Sequence, residues 1–107
     1  MKAEIYSLQT WTTNTNPSDL KKIFYDILLQ CKFNIFDFQE HFFKPYGYTA
    51  IWLLGESHFA IHTFPESKKT YLELSSCNKI KYDKFKKIIF NKKVVEENNN
   101  AVKESIL

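Results

Sequence analysis

The sequence predicts an α+β fold: an antiparallel β-sheet with two helices packed on one face, forming a two-layer sandwich. Three observations lead there. Alternating segments and helix-periodic segments follow one another in the order strand, helix, four strands, helix. Connections between the later strands are of hairpin length, which favours antiparallel neighbours. Hydrophobic content of 44% and aromatic content of 17% over 107 residues supply a core and exclude a disordered chain. Residues 1–93 are accordingly read as a single domain, and 94–107 as a short strand and polar C-terminal tail.

Each element has its own signal. "AEIYSLQTW" (3–11) partly alternates and lacks helix signals, so it reads as the first strand. "TTNTNPSDL" (12–20) is turn chemistry ending in a helix start: Asn16 can cap, Pro17 suits the first helical position, and Asp19 favours the positive end. Leu20, Ile23, Phe24, Ile27, Leu28 and Cys31 then form one apolar stripe, which makes Cys31 a core residue. "FNIFDFQEHFF" (33–43) is a strand and "KPYG" (44–47) a turn. "YTAIWLL" (48–54) and "HFAIHTF" (58–64) are two more strands, separated by Gly55-Glu56-Ser57. Pro65 ends the second, "ESKK" (66–69) turns, and "TYLELSS" (70–76) alternates again. Tyr82, Phe85, Ile88 and Ile89 mark a second amphipathic helix, "KKVVEE" (92–97) a short strand, and "NNNAVKESIL" (98–107) a polar, frayed end.

The formal charge of +3, from 15 basic and 12 acidic side chains, is too small to argue nucleic-acid binding. Lysines do gather in "KIKYDKFKKIIFNKK" (79–93), with aromatics between them. A phosphate-binding face is one reading; the solvated side of an amphipathic helix is the simpler one. The two cysteines, Cys31 and Cys77, form no Cys-x-x-Cys pair, and neither a charged-then-apolar leader nor a membrane-length apolar run is present. These features predict a soluble, cytoplasmic protein with free thiols and no membrane or nucleic-acid partner. Metal-ligand spacing, a phosphate-cradling glycine loop and a dinucleotide fingerprint are missing, so no metal is expected.

"LLGESHFAIHTFPE" (53–66) is the segment that composition leaves unexplained. A buried hydroxyl or imidazole without partners is destabilising by roughly 1–3 kcal/mol, so Ser57, His58 and His62 between apolar runs require a reason. A hydrolase triad is a weak one. It would want serine on a glycine-flanked strand-to-helix turn, whereas Ser57 lies between two strands with Gly55 upstream.

"PYGYTAIWLLGESHFAIHTFPE" (45–66), followed by Cys77, resembles the core of the prokaryotic S-adenosylmethionine decarboxylase proenzymes. In that family a Glu-Ser-His step is the self-cleavage site, followed by Ile-His-Thr, an aromatic residue, Pro-Glu and a later cysteine. His62 lies five residues and Cys77 twenty residues after Ser57, both matching. "AEIY", the first helix and the next strand also fit, so the resemblance covers roughly residues 2–93.

The resemblance implies a chemistry. Ser57 would attack the carbonyl of Glu56, shift the amide to an ester, and become a pyruvoyl group after elimination. That self-made cofactor would form a Schiff base with substrate, with neither pyridoxal phosphate nor metal. His62 would serve processing as the base for elimination, and Thr49 stands where the family has a serine that assists the acyl shift. Cys77 would protonate the carbanion once carbon dioxide has left. Phe43 matches an aromatic that stacks on adenine, with His62 on its other face, and Glu66 an acid that binds ribose hydroxyls. The implied substrate is S-adenosylmethionine, decarboxylated for polyamine synthesis, and the implied assembly is a homodimer with sites near the subunit contact.

Simpler alternatives stand beside each role: a turn serine, a satisfied core histidine, an ordinary buried thiol, a core phenylalanine, a solvated acid. Departures from the family pattern concern neighbours of the site. "SSCN" (75–78) replaces Phe-Thr-Cys-Gly, "ESKK" (66–69) replaces a turn that carries glycine, and Phe64 replaces tryptophan. Asn78 is expected to keep the turn by tolerating a left-handed backbone. Two other functions therefore remain open. One is a pyruvoyl-dependent decarboxylase of ornithine or arginine; the other is a non-catalytic homologue that binds or regulates a partner subunit. One geometric condition also follows. Strand alternation sets Ser57 and His62 on opposite faces, so a shared site requires a kink, bulge or strand end at Gly55–Ser57.

Overall fold

In the computed structural model, residues 3–95 and 102–107 are described. Strand β1 (Tyr6–Thr12) leads to helix α1 (Pro17–Gln30), followed by β2 (Ile35–Phe42), β3 (Tyr48–Leu54), β4 (Ser57–Phe64) and β5 (Lys69–Ser76). Helix α2 (Lys79–Asn91) and a short strand β6 (Lys103–Ile106) complete the order. The strands form one sheet in the order β2-β3-β4-β5-β1-β6, every neighbouring pair antiparallel. This is the expected two-helix, antiparallel α+β architecture.

Alternation along the strands decides which face the helices cover. Tyr6, Leu8, Thr10 and Thr12 of β1 are buried while Ser7, Gln9 and Trp11 are only partly so. The same parity runs through Ala50, Trp52 and Leu54 of β3, Phe59 and Ile61 of β4, and Leu72 and Leu74 of β5. These side chains meet Leu20, Phe24, Ile27 and Leu28 of α1 and Tyr82, Phe85 and Ile89 of α2 in one core. At its centre the Phe59 ring lies 4.8 Å from Phe24, 5.2 Å from Phe85 and 5.5 Å from Trp52, inside the range where aromatic pairs attract beyond their buried area. The opposite face of the sheet carries no helix among the described residues, and Ile51 and Leu53 are 41% and 53% exposed on it.

Helix α1 starts as its residues demand: the Asn16 side chain accepts the Asp19 N–H at 3.0 Å and Pro17 is the first helical residue. Cys31 is buried, which pushes its thiol up to about 11. Among the α2 lysines, Lys79 pairs with Asp83 and Lys86 with Glu104, and Lys84 and Lys87 are exposed. Among the described residues no helix is long and apolar enough to cross a membrane.

The C-terminal segment departs from expectation. Residues 92–95 cap and turn the end of α2, and 96–97 lie outside the described residues, so the expected strand at 92–97 is not where pairing occurs. The strand is Lys103–Ile106, which pairs with the edge of β1 from Tyr6 to Gln9. It is held further by mutual Ile5–Leu107 backbone bonds of 2.8 Å and by Glu104, which accepts from the Tyr82 hydroxyl at 2.9 Å.

Candidate active site

The β3–β4 hairpin turns on two residues, Gly55 and Glu56, with Leu54 paired to Ser57. Glu56 takes a left-handed backbone, φ 57°, an uncommon conformation for a residue with a side chain. Its carbonyl oxygen is held by the Cys77 N–H at 3.1 Å. Ser57 opens β4 and is partly exposed; its hydroxyl donates to the Ser76 hydroxyl at 2.6 Å. Glu56, Ser57, Ser76 and Cys77 thus share one end of the hairpin. The Cys77 side chain is exposed there.

His62 lies toward the other end. Five residues at roughly 3.3 Å each separate it from Ser57 by about 16 Å along β4. Its Nδ1 and the Thr49 hydroxyl are 2.9 Å apart, as their direct cross-strand pairing allows. The row continues across the uncovered face. His41 pairs with Thr49, Tyr71 with His62, and Trp11 with Tyr71. The Tyr71 ring stacks on His62 at 6.0 Å and 12°. Phe43, half exposed, sits edge-on to His41 at 4.5 Å. Glu66 is exposed in the single 3-10 turn Pro65–Ser67 that ends β4.

The predicted residues therefore form two groups rather than one. Ser57 is at a strand end, as the geometric condition allowed, but the β3–β4 register runs without a bulge from Thr49 to Leu54. Parity therefore persists: Ser57 points to the side of Phe59 and Ile61, His62 to the uncovered side. Within one chain they do not meet.

Two local expectations are corrected or refined. Asn78 is extended, φ −103°, not left-handed; its side chain caps α2 by accepting the Lys81 N–H at 3.0 Å. The glycine-free turn at 66–69 places its left-handed residue at Lys68, φ 55°. Ser76, Tyr71 and His41 were not singled out from sequence. Ser76 is visible only through the β4–β5 register, and the other two only through the row that the sheet assembles.

A turn-borne serine on a two-layer, helix-covered antiparallel sheet defines the structural class. The family model described as S-adenosylmethionine decarboxylase matches residues 3–104, and the chain belongs to that family. Similar proteins include the S-adenosylmethionine decarboxylase proenzyme of Methanococcus maripaludis strain C5, 27% identical over 74 residues, which are 69% of this chain and 60% of that one. The Syntrophomonas wolfei proenzyme is 35% identical over 78 residues, covering 70% of this chain and 59% of its own. The matches thus span about 60% of the length of these relatives. The crystal structure of the Aquifex aeolicus adenosylmethionine decarboxylase superposes with a TM-score of 0.73 at 16% identity, covering 98% of this chain and 88% of that one, and shares the fold.

Proposed function

We propose that this chain is a self-cleaving proenzyme that divides between Glu56 and Ser57 and, once matured, decarboxylates S-adenosylmethionine. The observation that carries the reading is the left-handed Glu56 whose carbonyl is held by the Cys77 N–H beside the Ser57 hydroxyl. The Ser57 oxygen attacks the Glu56 carbonyl carbon and the C–N bond of that peptide breaks. The hydroxyl proton ends on the Ser57 nitrogen, and an ester joins the two residues. Negative charge grows on the Glu56 oxygen as the new bond forms, where the Cys77 N–H already donates. A base then removes the Ser57 α-proton, the electron pair forms a Cα–Cβ double bond, and Glu56 leaves as a carboxylate. Water replaces the resulting enamine nitrogen, releasing ammonia and leaving a ketone at the new terminus.

A pyruvoyl ketone there supplies an electron sink for decarboxylation of an amine-bearing substrate. The residues fit such a group, because Ser57 begins a strand and is partly exposed, so the new terminus is open to a ligand without dismantling the sheet. In this reading the exposed Cys77 thiol returns a proton to the substrate carbon after carbon dioxide departs. Phe43 stacks on adenine, His62 covers its other face with Tyr71 bracing the imidazole from behind, and Glu66 accepts from the ribose hydroxyls.

The separation of Ser57 from His62 leads us to assign the functional unit to a two-fold dimer joined through the uncovered sheet face. A two-fold axis near the middle of β4 reverses the strand, setting the Ser57 end of one copy, where the α-hydrogen lies opposite the helix-facing hydroxyl, against the His62 end of the other. Two equal sites result, each complete only in the pair. The face suits burial: Ala60 lies mid-strand, flanked by the exposed Ile51, Leu53 and Phe64. The reading is tested by intact mass together with carbon dioxide release from labelled substrate. Expected are fragments 1–56 and 57–107 and release from S-adenosylmethionine. Cleavage with release only from ornithine or arginine would overturn the substrate, and an uncut chain the reading itself.

A further inference from the structure

Ser76 has no role in the scheme above, yet its hydroxyl is the group nearest to the Ser57 hydroxyl in the hydrogen-bond network. Ser76 ends β5, pairs directly with Ser57 across the β4–β5 ladder, and is 1% exposed. Its oxygen accepts the Ser57 O–H at 2.6 Å and the Asn78 N–H at 3.0 Å, and its own hydrogen faces the Asn78 carbonyl at 3.4 Å. Both acceptor sites and the one donor of a serine hydroxyl are then used. The 2.6 Å contact is at the short end for O–H···O bonds, and it is partly buried, where such bonds are electrostatically stronger than in open water.

We propose that Ser76 is a positioning residue for the self-cleavage, a proposal that rests on the reading of Ser57 as the attacking group. By accepting the Ser57 O–H on the side of β5, Ser76 fixes the rotamer of that hydroxyl and leaves its lone pairs free toward the Glu56 carbonyl carbon. The proton that leaves Ser57 as the carbon–oxygen bond forms ends on the nitrogen released when the Glu56–Ser57 C–N bond breaks. The neighbouring Cys77 N–H holds the carbonyl oxygen in the same step. Residues 76 and 77 therefore grip the two reacting partners from one strand end, the first through its side chain and the second through its backbone.

The test follows cleavage of the full chain after rapid folding from denaturant, comparing the unsubstituted protein with Ser76→Ala and Ser76→Thr. Intact mass reads the rate of division, and hydroxylamine, which cuts an ester but not a peptide, reads the acyl shift alone. Ser76→Ala is expected to slow both readouts by the same factor, on the order of tenfold to a hundredfold, as loss of a hydrogen bond used in the reacting geometry implies. Ser76→Thr, which keeps the oxygen, is expected to recover to within about threefold of the parent, a rescue that a purely structural hydroxyl would not give. Ser76→Ala dividing at the parental rate overturns the proposal. So does a Thr variant as slow as Ala although its thermal unfolding matches the parent. If threonine does not fit and unfolding shifts, Ser76→Cys, isosteric but a weak donor and acceptor, decides: parental rate overturns, slow rate supports. A parent chain that never divides and yields no hydroxylamine-cleavable ester removes the underlying reading, and this proposal with it.

Discussion

Mixing two inactive variants distinguishes a shared site from a self-contained one. His62→Ala removes the base that the family resemblance implies, and Ser57→Ala removes the hydroxyl proposed to attack. The structure sets the magnitude: about 16 Å of strand separates the two residues in one chain, against the roughly 3 Å over which a base takes a proton. Alone, His62→Ala is expected to divide about a hundredfold to ten-thousandfold more slowly, the usual contribution of a general base, and Ser57→Ala not at all. Co-folded in equal amounts, about half of the dimers contain one chain of each kind under random two-fold pairing. In those, one site holds both substitutions and the other holds neither. The intact site contains Ser57 of the His62→Ala chain, so about half of the His62→Ala chains, roughly a quarter of all chains, should divide rapidly. Mass spectrometry identifies the fragment 57–107 by its substitution. If the mixture divides no faster than His62→Ala alone, His62 does not act across a dimer and no site is shared between copies.

Further predictions concern the face, the core and an acidic side chain. Leu53→Lys, on the uncovered face, should shift the protein from dimer to monomer in sedimentation and slow cleavage with it; an unchanged dimer would show that copies meet elsewhere. Phe59→Ala should cost about 3–5 kcal/mol in denaturant unfolding, since its ring contacts Phe24, Phe85 and Trp52; a loss below about 1 kcal/mol would mean the core collapses around the gap. Hydrogen bonds from the Tyr48 hydroxyl and from Lys21 hold the Glu40 carboxyl below the usual carboxylate range. A depressed folded value contributes stability above the unfolded value and loses it as pH falls through the folded one. The advantage of the parent over Glu40→Gln should therefore be less than about 1 kcal/mol near neutrality, because the pair is solvent-screened, and should vanish in acid. An advantage that grows on acidification would contradict the sign.

Much of this was legible in the chain because local chemistry and tertiary context agree. Strand β3 could be bounded from "YTAIWLL", a short apolar, β-prone run whose ends Gly47 and Gly55 punctuate. Helix α1 could be started at Pro17 because Asn16, Pro17 and Asp19 all favour the same terminus. Strand β6 was not legible. Its four residues, "KESI", are all exposed, and they are extended because the edge of β1 offers them unpaired backbone groups. The site divides in the same way. Its residue types follow from the motif, and the opposite facing of Ser57 and His62 follows from a period of two. That Ser76 faces Ser57 depends on a register between strands, and no pattern within either strand encodes it.

In the proposed maturation the peptide after Glu56 is cut by its own neighbouring hydroxyl. The most direct measurement is the intact mass of the freshly folded 107-residue chain followed over time at neutral pH. Expected are loss of the full-length mass and appearance of 1–56 with an ordinary carboxyl end and 57–107 beginning in a ketone. A folded chain that keeps its full mass, with an unmodified serine at position 57, would contradict it.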